Sequence, residues 1–85
     1  MDYKSELALL LNSAQPALSA PELEEMLEIP PDANMGDYAL PCFKLAKTLR
    51  MAPPKIAADL LEKFQKPSWI SKVEIAGGYL NFFVD

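Results

Sequence analysis

Two adjacent glycines near the end of the chain, Gly77 and Gly78, separate two short runs that are rich in β-branched and aromatic residues. A two-residue turn of this kind needs positive φ at both positions, which glycine adopts without a steric clash from Cβ. The sequence therefore predicts a β-hairpin over residues 73–85. With the glycines as the turn, the predicted pairs are Ala76 with Tyr79, Ile75 with Leu80, Glu74 with Asn81, Val73 with Phe82 and Lys72 with Phe83.

The two faces of this hairpin differ in character, because side chains alternate along a strand. One face is apolar and is predicted to join the core; it carries Val73, Ile75, Leu80, Phe82 and Val84. The other face is mixed; it carries Lys72, Glu74, Ala76, Tyr79, Asn81 and Phe83. Tyr79 and Asn81 are neighbours there, and an aromatic ring beside an amide can stack on a splayed base and bind its edge. The alternative is that aromatic residues simply favour strands and that Tyr79 and Phe83 pack against another element.

The composition excludes several classes of function. At 85 residues the chain is predicted to form one domain with a single core. It has no histidine and one cysteine, so the commonest general base is missing and the usual zinc ligands are too few. We therefore expect no metal and no catalytic site. No apolar run approaches the roughly 18 residues of a membrane span, and 1–11 is too charged for a signal peptide, which predicts a cytoplasmic protein.

Charge is distributed unevenly along the chain. The net charge of −4 argues against strong nonspecific binding to nucleic acid. Residues 1–37 carry one basic and eight acidic side chains, whereas residues 38–85 carry seven basic and four acidic ones. A polyanion is therefore expected to approach the second part of the chain.

Apolar residues at helical spacing predict four helices, at about 2–15 and 19–27, from 42 to about 50, and through 56–64. Ser19 and Glu22 have capping-box spacing, and Pro41 suits the first turn of the third helix. Cys42 lies on the apolar face of that helix, so it is interpreted as a small core residue rather than a nucleophile. Short strands are predicted at 27–29, ending before Pro30 and Pro31, and at 37–39. This order indicates an α+β fold with helices on the apolar face of an antiparallel sheet.

Two stretches together resemble a known family. They are Ile29–Lys47, IPPDANMGDYALPCFKLAK, and Val73–Val84, VEIAGGYLNFFV. In this order and at this separation they resemble the N-terminal additional domain of bacterial-type arginyl-tRNA synthetases, and the resemblance extends over essentially the whole chain. Its most specific parts are GDYA, residues 36–39, and GYLNF, residues 78–82.

The resemblance implies a two-layer α+β domain with a four-stranded antiparallel sheet, short first strands and a C-terminal hairpin, covered on one face by about four helices. It also implies a domain that precedes the catalytic domain and contacts the outer corner of the tRNA. Tyr79 and Asn81 match the aromatic and amide residues that recognise an exposed D-loop base in this family. The glycines Gly36, Gly77 and Gly78, together with Asp37 and Pro41, match turn or structural positions.

The same resemblance implies a parent enzyme, an arginine–tRNA ligase of class I that uses ATP and magnesium. The fragment itself is then expected to be non-catalytic and to bind no cofactor. Its implied partners are the tRNA for arginine and the catalytic and anticodon-binding domains of the parent chain, with no membrane contact and a monomeric state. The competing interpretation is a structural module that packs between domains without touching nucleic acid. A free-standing nucleic-acid chaperone would require a basic total charge.

Overall fold

The computed structural model describes residues 2–85 as an α+β fold in which helices cover one face of an antiparallel sheet. The helices are α1 (Tyr3–Ala14), α2 (Ala20–Met26), α3 (Ala46–Leu49) and α4 (Pro53–Lys63). The strands are β1 (Tyr38–Pro41), β2 (Ile70–Ala76) and β3 (Tyr79–Val84), and two 3₁₀ turns span Ala33–Met35 and Cys42–Leu45. The strand order is β1-β3-β2, so the last strand of the chain is the central one.

The predicted four-stranded sheet is wrong by one strand: residues 2–85 form three strands. The strand expected at residues 27–29 is reduced to an isolated bridge between Glu28 and Ala39. The Glu28 amide donates to the Ala39 carbonyl at 2.9 Å, and the Ala39 amide donates to the Glu28 carbonyl at 2.8 Å. The bridge cannot lengthen into a strand, because Pro30 and Pro31 follow at once and neither has an amide hydrogen to donate.

The predicted hairpin register is confirmed at all five pairs, from Ala76 with Tyr79 to Lys72 with Phe83. β1 pairs with the other edge of β3, where Leu40 lies opposite Leu80 and Ala39 opposite Asn81. A bulge between Ile70 and Lys72 shifts the register near the start of β2. The alternation of side chains along β3 is therefore the one that the sequence predicts.

The core lies between the helices and the face of β3 that carries Leu80 and Phe82. Both side chains are fully buried, as predicted. The ring of Phe64, which ends α4, meets the ring of Phe82 edge-on with centroids 5.4 Å apart. Tyr3 of α1 stacks on Trp69 at a centroid distance of 4.9 Å, which joins the first helix to the residues that lead into β2. These contacts close one core around the central strand.

Two apolar residues, one on the hairpin and one on a helix, are exposed. Ile75 shares the apolar face of the hairpin, but its side chain is 43 % exposed. It lies near the turn on the edge strand β2, whose last three residues, Glu74–Ala76, are all exposed. Leu61 of α4 is also exposed, although its neighbour Leu60 is buried. Periodicity along a strand or a helix assigns a side chain to a face, but burial depends on what lies above that face.

The helix ends follow the predicted capping chemistry with one change. The Ser19 hydroxyl oxygen accepts from the Glu22 amide at 3.3 Å, but its hydrogen is donated to the Glu22 carboxylate at 2.9 Å. The glutamate therefore binds the capping side chain instead of the capping backbone.

Pro41, expected in the first turn of a helix, is instead the last residue of β1, opposite Tyr79. An edge strand tolerates proline because one of its two sides needs no donor.

We expect Phe82→Ala to lower the free energy of unfolding by about 3 to 5 kcal/mol, because it empties the largest buried site in the core. Phe83→Ala is the matched control, since Phe83 is half-buried on the opposite face of the same strand. Urea unfolding of both variants measures the difference. An equal or larger loss for Phe83→Ala would contradict the assignment of Phe82 to the core face.

Candidate functional site

The candidate site lies on the sheet face that points away from the helices, here called the open face and defined by Tyr79, Asn81 and Phe83 of β3 with Lys72 and Glu74 of β2. The pairing registers place Asn81 between Ala39 on one side and Glu74 on the other. Tyr79 and Phe83 flank Asn81 along the strand. The structure thus brings Tyr79 and Asn81 together on one face, as predicted.

The turn that presents Tyr79 differs from the predicted one in its backbone. Gly77 has φ of +60°, but Gly78 lies outside the positive-φ region. One positive φ at the first central position is the requirement of a type II′ turn, so the expectation of positive φ at both glycines is wrong. Position 78 favours glycine for a different reason, because a Cβ there would lie only 2.9 Å from Cδ1 of Phe43. The carbonyl of Gly78 accepts from the Cys42 amide at 2.8 Å, which ties the turn to the second 3₁₀ turn.

Asn81 is more buried than a residue on a mixed surface should be. Its side chain is only 3 % exposed, whereas the sequence predicts an amide on an open recognition surface. Its Oδ1 is buried and accepts no hydrogen bond from any of the residues 2–85. A buried polar atom without a hydrogen-bond partner costs about 1 to 3 kcal/mol, so an apolar residue of similar volume is expected to be tolerated at this position.

Tyr79 is half-buried, and its ring meets the ring of Phe43 edge-on. The centroids are 5.3 Å apart and the planes are inclined by 84°. Sequence reasoning missed Phe43 as a member of this site. A signal was present, because Phe43 interrupts the apolar spacing of Cys42, Leu45 and Leu49 and is therefore placed off the buried face of its helix.

An ion pair occupies the outer edge of the open face. Lys72 Nζ lies 2.8 Å from Glu74 Oε1 and 4.4 Å from the centre of the Phe83 ring. The side chains of Lys72 and Glu74 are both more than half exposed, so water and salt weaken their attraction. The Lys72 ammonium therefore lies beside Phe83 of the open face, but only weak interactions keep it there.

Gly36 and Asp37, the first half of the GDYA motif, hold the far end of β3. The Asp37 amide donates to the Phe82 carbonyl at 2.9 Å, and the Asp37 carboxylate accepts from the Val84 amide at 2.7 Å. Gly36 has φ of +97°, and a Cβ there would lie 2.9 Å from the Phe82 carbonyl oxygen. Only glycine fits this position without strain. In the structure both residues therefore hold the segment before β1 close to the backbone of β3.

Cys42 is fully buried, and burial raises the pKa of its thiol to about 11. The thiolate that a nucleophile or a metal ligand requires is thus disfavoured at neutral pH, which confirms the interpretation of Cys42 as a core residue.

Within residues 2–85 no three side chains of the kinds that ligate metals lie close together. The larger surface groove, of about 580 Å³ between α1 and α2, is lined by none of the predicted site residues. No helix in the same part of the chain is both long and apolar enough to cross a membrane.

Comparison with known proteins identifies the class of domain. The family model described as the arginyl tRNA synthetase N terminal domain matches residues 1–84. The chain is 48 % identical over 84 residues to an arginine–tRNA ligase of Alkaliphilus metalliredigens, and 49 % identical over 86 residues to one of Pediococcus pentosaceus. These alignments cover 99 % and 100 % of this chain but 15 % of each relative. The chain thus spans about a seventh of the length of the curated relatives that it matches.

A solved structure leads to the same class. The arginyl-tRNA synthetase of Thermus thermophilus matches with a TM-score of 0.75 and 30 % sequence identity, over 96 % of this chain and 14 % of that one. The protein therefore belongs to the family of arginyl-tRNA synthetase N-terminal domains.

The burial of Asn81 has a consequence for stability that can be measured. We expect Asn81→Leu to leave the free energy of unfolding unchanged or to raise it by about 1 kcal/mol, because a similar volume replaces an unpaired buried oxygen. Asn12→Leu is the matched control, since Asn12 Nδ2 donates to the Leu18 carbonyl and its loss should cost about 1 kcal/mol. Thermal and urea unfolding of both variants decide the point. A large loss for Asn81→Leu would mean that the amide is a structural residue.

Proposed function

We propose that this chain is the tRNA-recognition domain of an arginine–tRNA ligase and that it contacts the D-loop at the outer corner of the tRNA. In this proposal the contact places the tRNA so that a downstream catalytic domain attaches arginine with the use of ATP and magnesium. The parent is proposed to act as a monomer in the cytoplasm, with its catalytic and anticodon-binding domains as further partners. Family membership and the likeness to the Thermus synthetase support this assignment.

The observation that carries the proposal is the amide oxygen of Asn81, which accepts no hydrogen bond from the described residues 2–85 and lies on the same face as the half-buried ring of Tyr79. An exposed base offers a flat ring for stacking and hydrogen-bond donors on its edge. Stacking on Tyr79 would orient the base, and a donor on its edge would satisfy the Asn81 oxygen. The free-energy cost of leaving that oxygen unpaired would then be recovered only in the complex.

Access to Asn81 requires movement on the open face. The amide is almost completely covered in the free domain, so a base reaches it only after the neighbouring side chains part. Lys72 is a suitable mobile neighbour, because its pair with Glu74 is exposed and therefore weak. A phosphate could replace the Glu74 carboxylate as the partner of Lys72 when tRNA binds. The positive balance of residues 38–85 favours that approach.

The alternative is a packing module whose open face is covered by the remainder of the synthetase. Exposed apolar side chains near the hairpin, those of Ile75 and Phe43, favour it. The two functions separate experimentally, because a packing role predicts that changes at Tyr79 weaken the stability of the full-length enzyme. Recognition of a base predicts instead a loss that depends on the identity of that base.

We expect Tyr79→Ala and Asn81→Ala, introduced into the full-length enzyme, to raise the Michaelis constant for tRNA without changing that for arginine or ATP. Stacking of a base on an aromatic is worth about 1 to 3 kcal/mol and a hydrogen bond about 0.5 to 1.5 kcal/mol, so Tyr79→Ala should be the costlier change. Tyr79→Phe should be mild, because it keeps the ring. Steady-state aminoacylation measures all three variants.

The control for this experiment is a set of tRNA transcripts in which each unpaired D-loop base is replaced in turn. At the recognised base, replacement should harm the wild-type enzyme and have little further effect on Tyr79→Ala or Asn81→Ala. If both variants respond to every replacement as strongly as wild type does, this pair does not read a base. The packing module is then the better assignment.

We also expect residues 1–85 alone to show no arginine-dependent exchange between ATP and pyrophosphate. The physical reason is that the open face offers a ring, an amide and one exposed ion pair. One lysine paired with a carboxylate does not make an ATP site, and residues 2–85 hold no cluster of side chains that could bind the magnesium of ATP. The measurement is incorporation of labelled pyrophosphate into ATP, with the full-length enzyme as the positive control. Exchange by the fragment would contradict the proposal that the chemistry lies elsewhere in the parent.

A further inference from the structure

Phe43 is an exposed aromatic residue next to the hairpin turn. Its side chain is 45 % exposed. In the same 3₁₀ turn, Cys42 before it and Leu45 after it are buried. A large apolar side chain in this position contributes little to the core. Its side chain instead contacts Gly78 and Tyr79 at the start of β3, the strand that carries the candidate site.

Backbone contacts hold Phe43 against the start of β3. The amide of Cys42 donates to the Gly78 carbonyl at 2.8 Å, so the backbone immediately before Phe43 is joined to the residue immediately before Tyr79. The Phe43 side chain lies over Gly78, where an added Cβ would be 2.9 Å from Cδ1 and 3.7 Å from Cγ. The absence of a side chain at Gly78 is what lets the ring approach so closely.

From this position the Phe43 ring supports the ring of Tyr79. The two rings meet edge-on at 5.3 Å and 84°, an arrangement that aromatic pairs prefer. A half-exposed tyrosine otherwise samples several rotamers, and ordering it on binding reduces affinity. The contact with Phe43 restricts the Tyr79 ring before any ligand arrives.

We propose that Phe43 is a positioning residue for base recognition: held on Gly78, it fixes the orientation of the Tyr79 ring on which the base stacks. This inference rests on the proposed function of Tyr79 and Asn81 and adds to it a residue on a separate element, the 3₁₀ turn. Phe43 acts through Tyr79 and does not itself need to contact the base.

The first test measures aminoacylation kinetics of Phe43→Ala in the full-length enzyme. The Michaelis constant for tRNA should rise by about 2- to 10-fold, the range expected for loss of one aromatic pair, with kcat unchanged. Phe43→Tyr should restore wild-type behaviour, because it keeps the ring edge. Leu9→Ala on α1 is the matched control, since Leu9 is 52 % exposed and lies outside the open face; it should have no effect.

The second test is a double-mutant cycle between Phe43 and Gly78. Gly78→Ala alone should mimic Phe43→Ala, because the new Cβ displaces the Phe43 ring. In the Phe43→Ala background, Gly78→Ala should be harmless, since the three nearest atoms to that Cβ all belong to Phe43. Additive losses would overturn the inference, because they would mean that Gly78 and Phe43 act independently.

Replacing the recognised D-loop base separates failure of this inference from failure of the proposed function. With that base replaced, Phe43→Ala should raise the Michaelis constant for tRNA no further than it does when it is added to the Tyr79→Ala enzyme. If Tyr79→Ala abolishes base dependence while Phe43→Ala leaves both base dependence and the Michaelis constant intact, the positioning role is wrong and the proposed function stands. If neither variant alters base dependence, the proposed function fails and the positioning role fails with it. A loss for Phe43→Ala without one for Tyr79→Ala would make Phe43 the stacking residue and overturn the inference.

Discussion

The fold depends on the backbone hydrogen bonds that tie both ends of β3 to the segment 36–42. At one end Asp37 binds the backbone of Phe82 and Val84, and at the other the Cys42 amide binds the Gly78 carbonyl. These bonds join the two stretches that carry the family resemblance, although they lie far apart in the sequence. Because β3 is central, its held ends orient the core side chains on one face and the candidate site on the other.

Alternation along β3 couples stability to function. Phe82 points into the core and is fully buried, while its neighbour Asn81 points to the open face and is nearly as buried with an unpaired oxygen. Proteins rarely keep such an atom, and where they do a local rule has been broken for a reason outside folding. In the proposed function, a base that donates a hydrogen bond to Asn81 would supply that reason.

Much of this architecture could be predicted from local patterns. The glycine pair and the two-residue period of the hairpin predict its register correctly at every pair. The strand at 27–29 was predicted to be short because of Pro30 and Pro31, but its reduction to a single bridge depends on how few of its residues lie beside β1 in the folded chain. The exposure of Ile75 was missed for a similar reason, since periodicity assigns a side chain to a face without stating how far the helices extend over it.

By itself the sequence determined helices α1, α2 and α4, the hairpin, the register that makes Tyr79 and Asn81 neighbours, and the family; the helix expected from residue 42 begins instead with a 3₁₀ turn. These properties follow from spacing along the chain, which local geometry translates directly into elements and faces. Only the tertiary structure decided that Asn81 is buried with an oxygen that accepts no hydrogen bond from residues 2–85, and that the rings of Phe43 and Tyr79 are in contact. The physical reason is that burial and ring contacts depend on atoms from segments distant in sequence, and these meet only when the 3₁₀ turn and β1 pack beside β3.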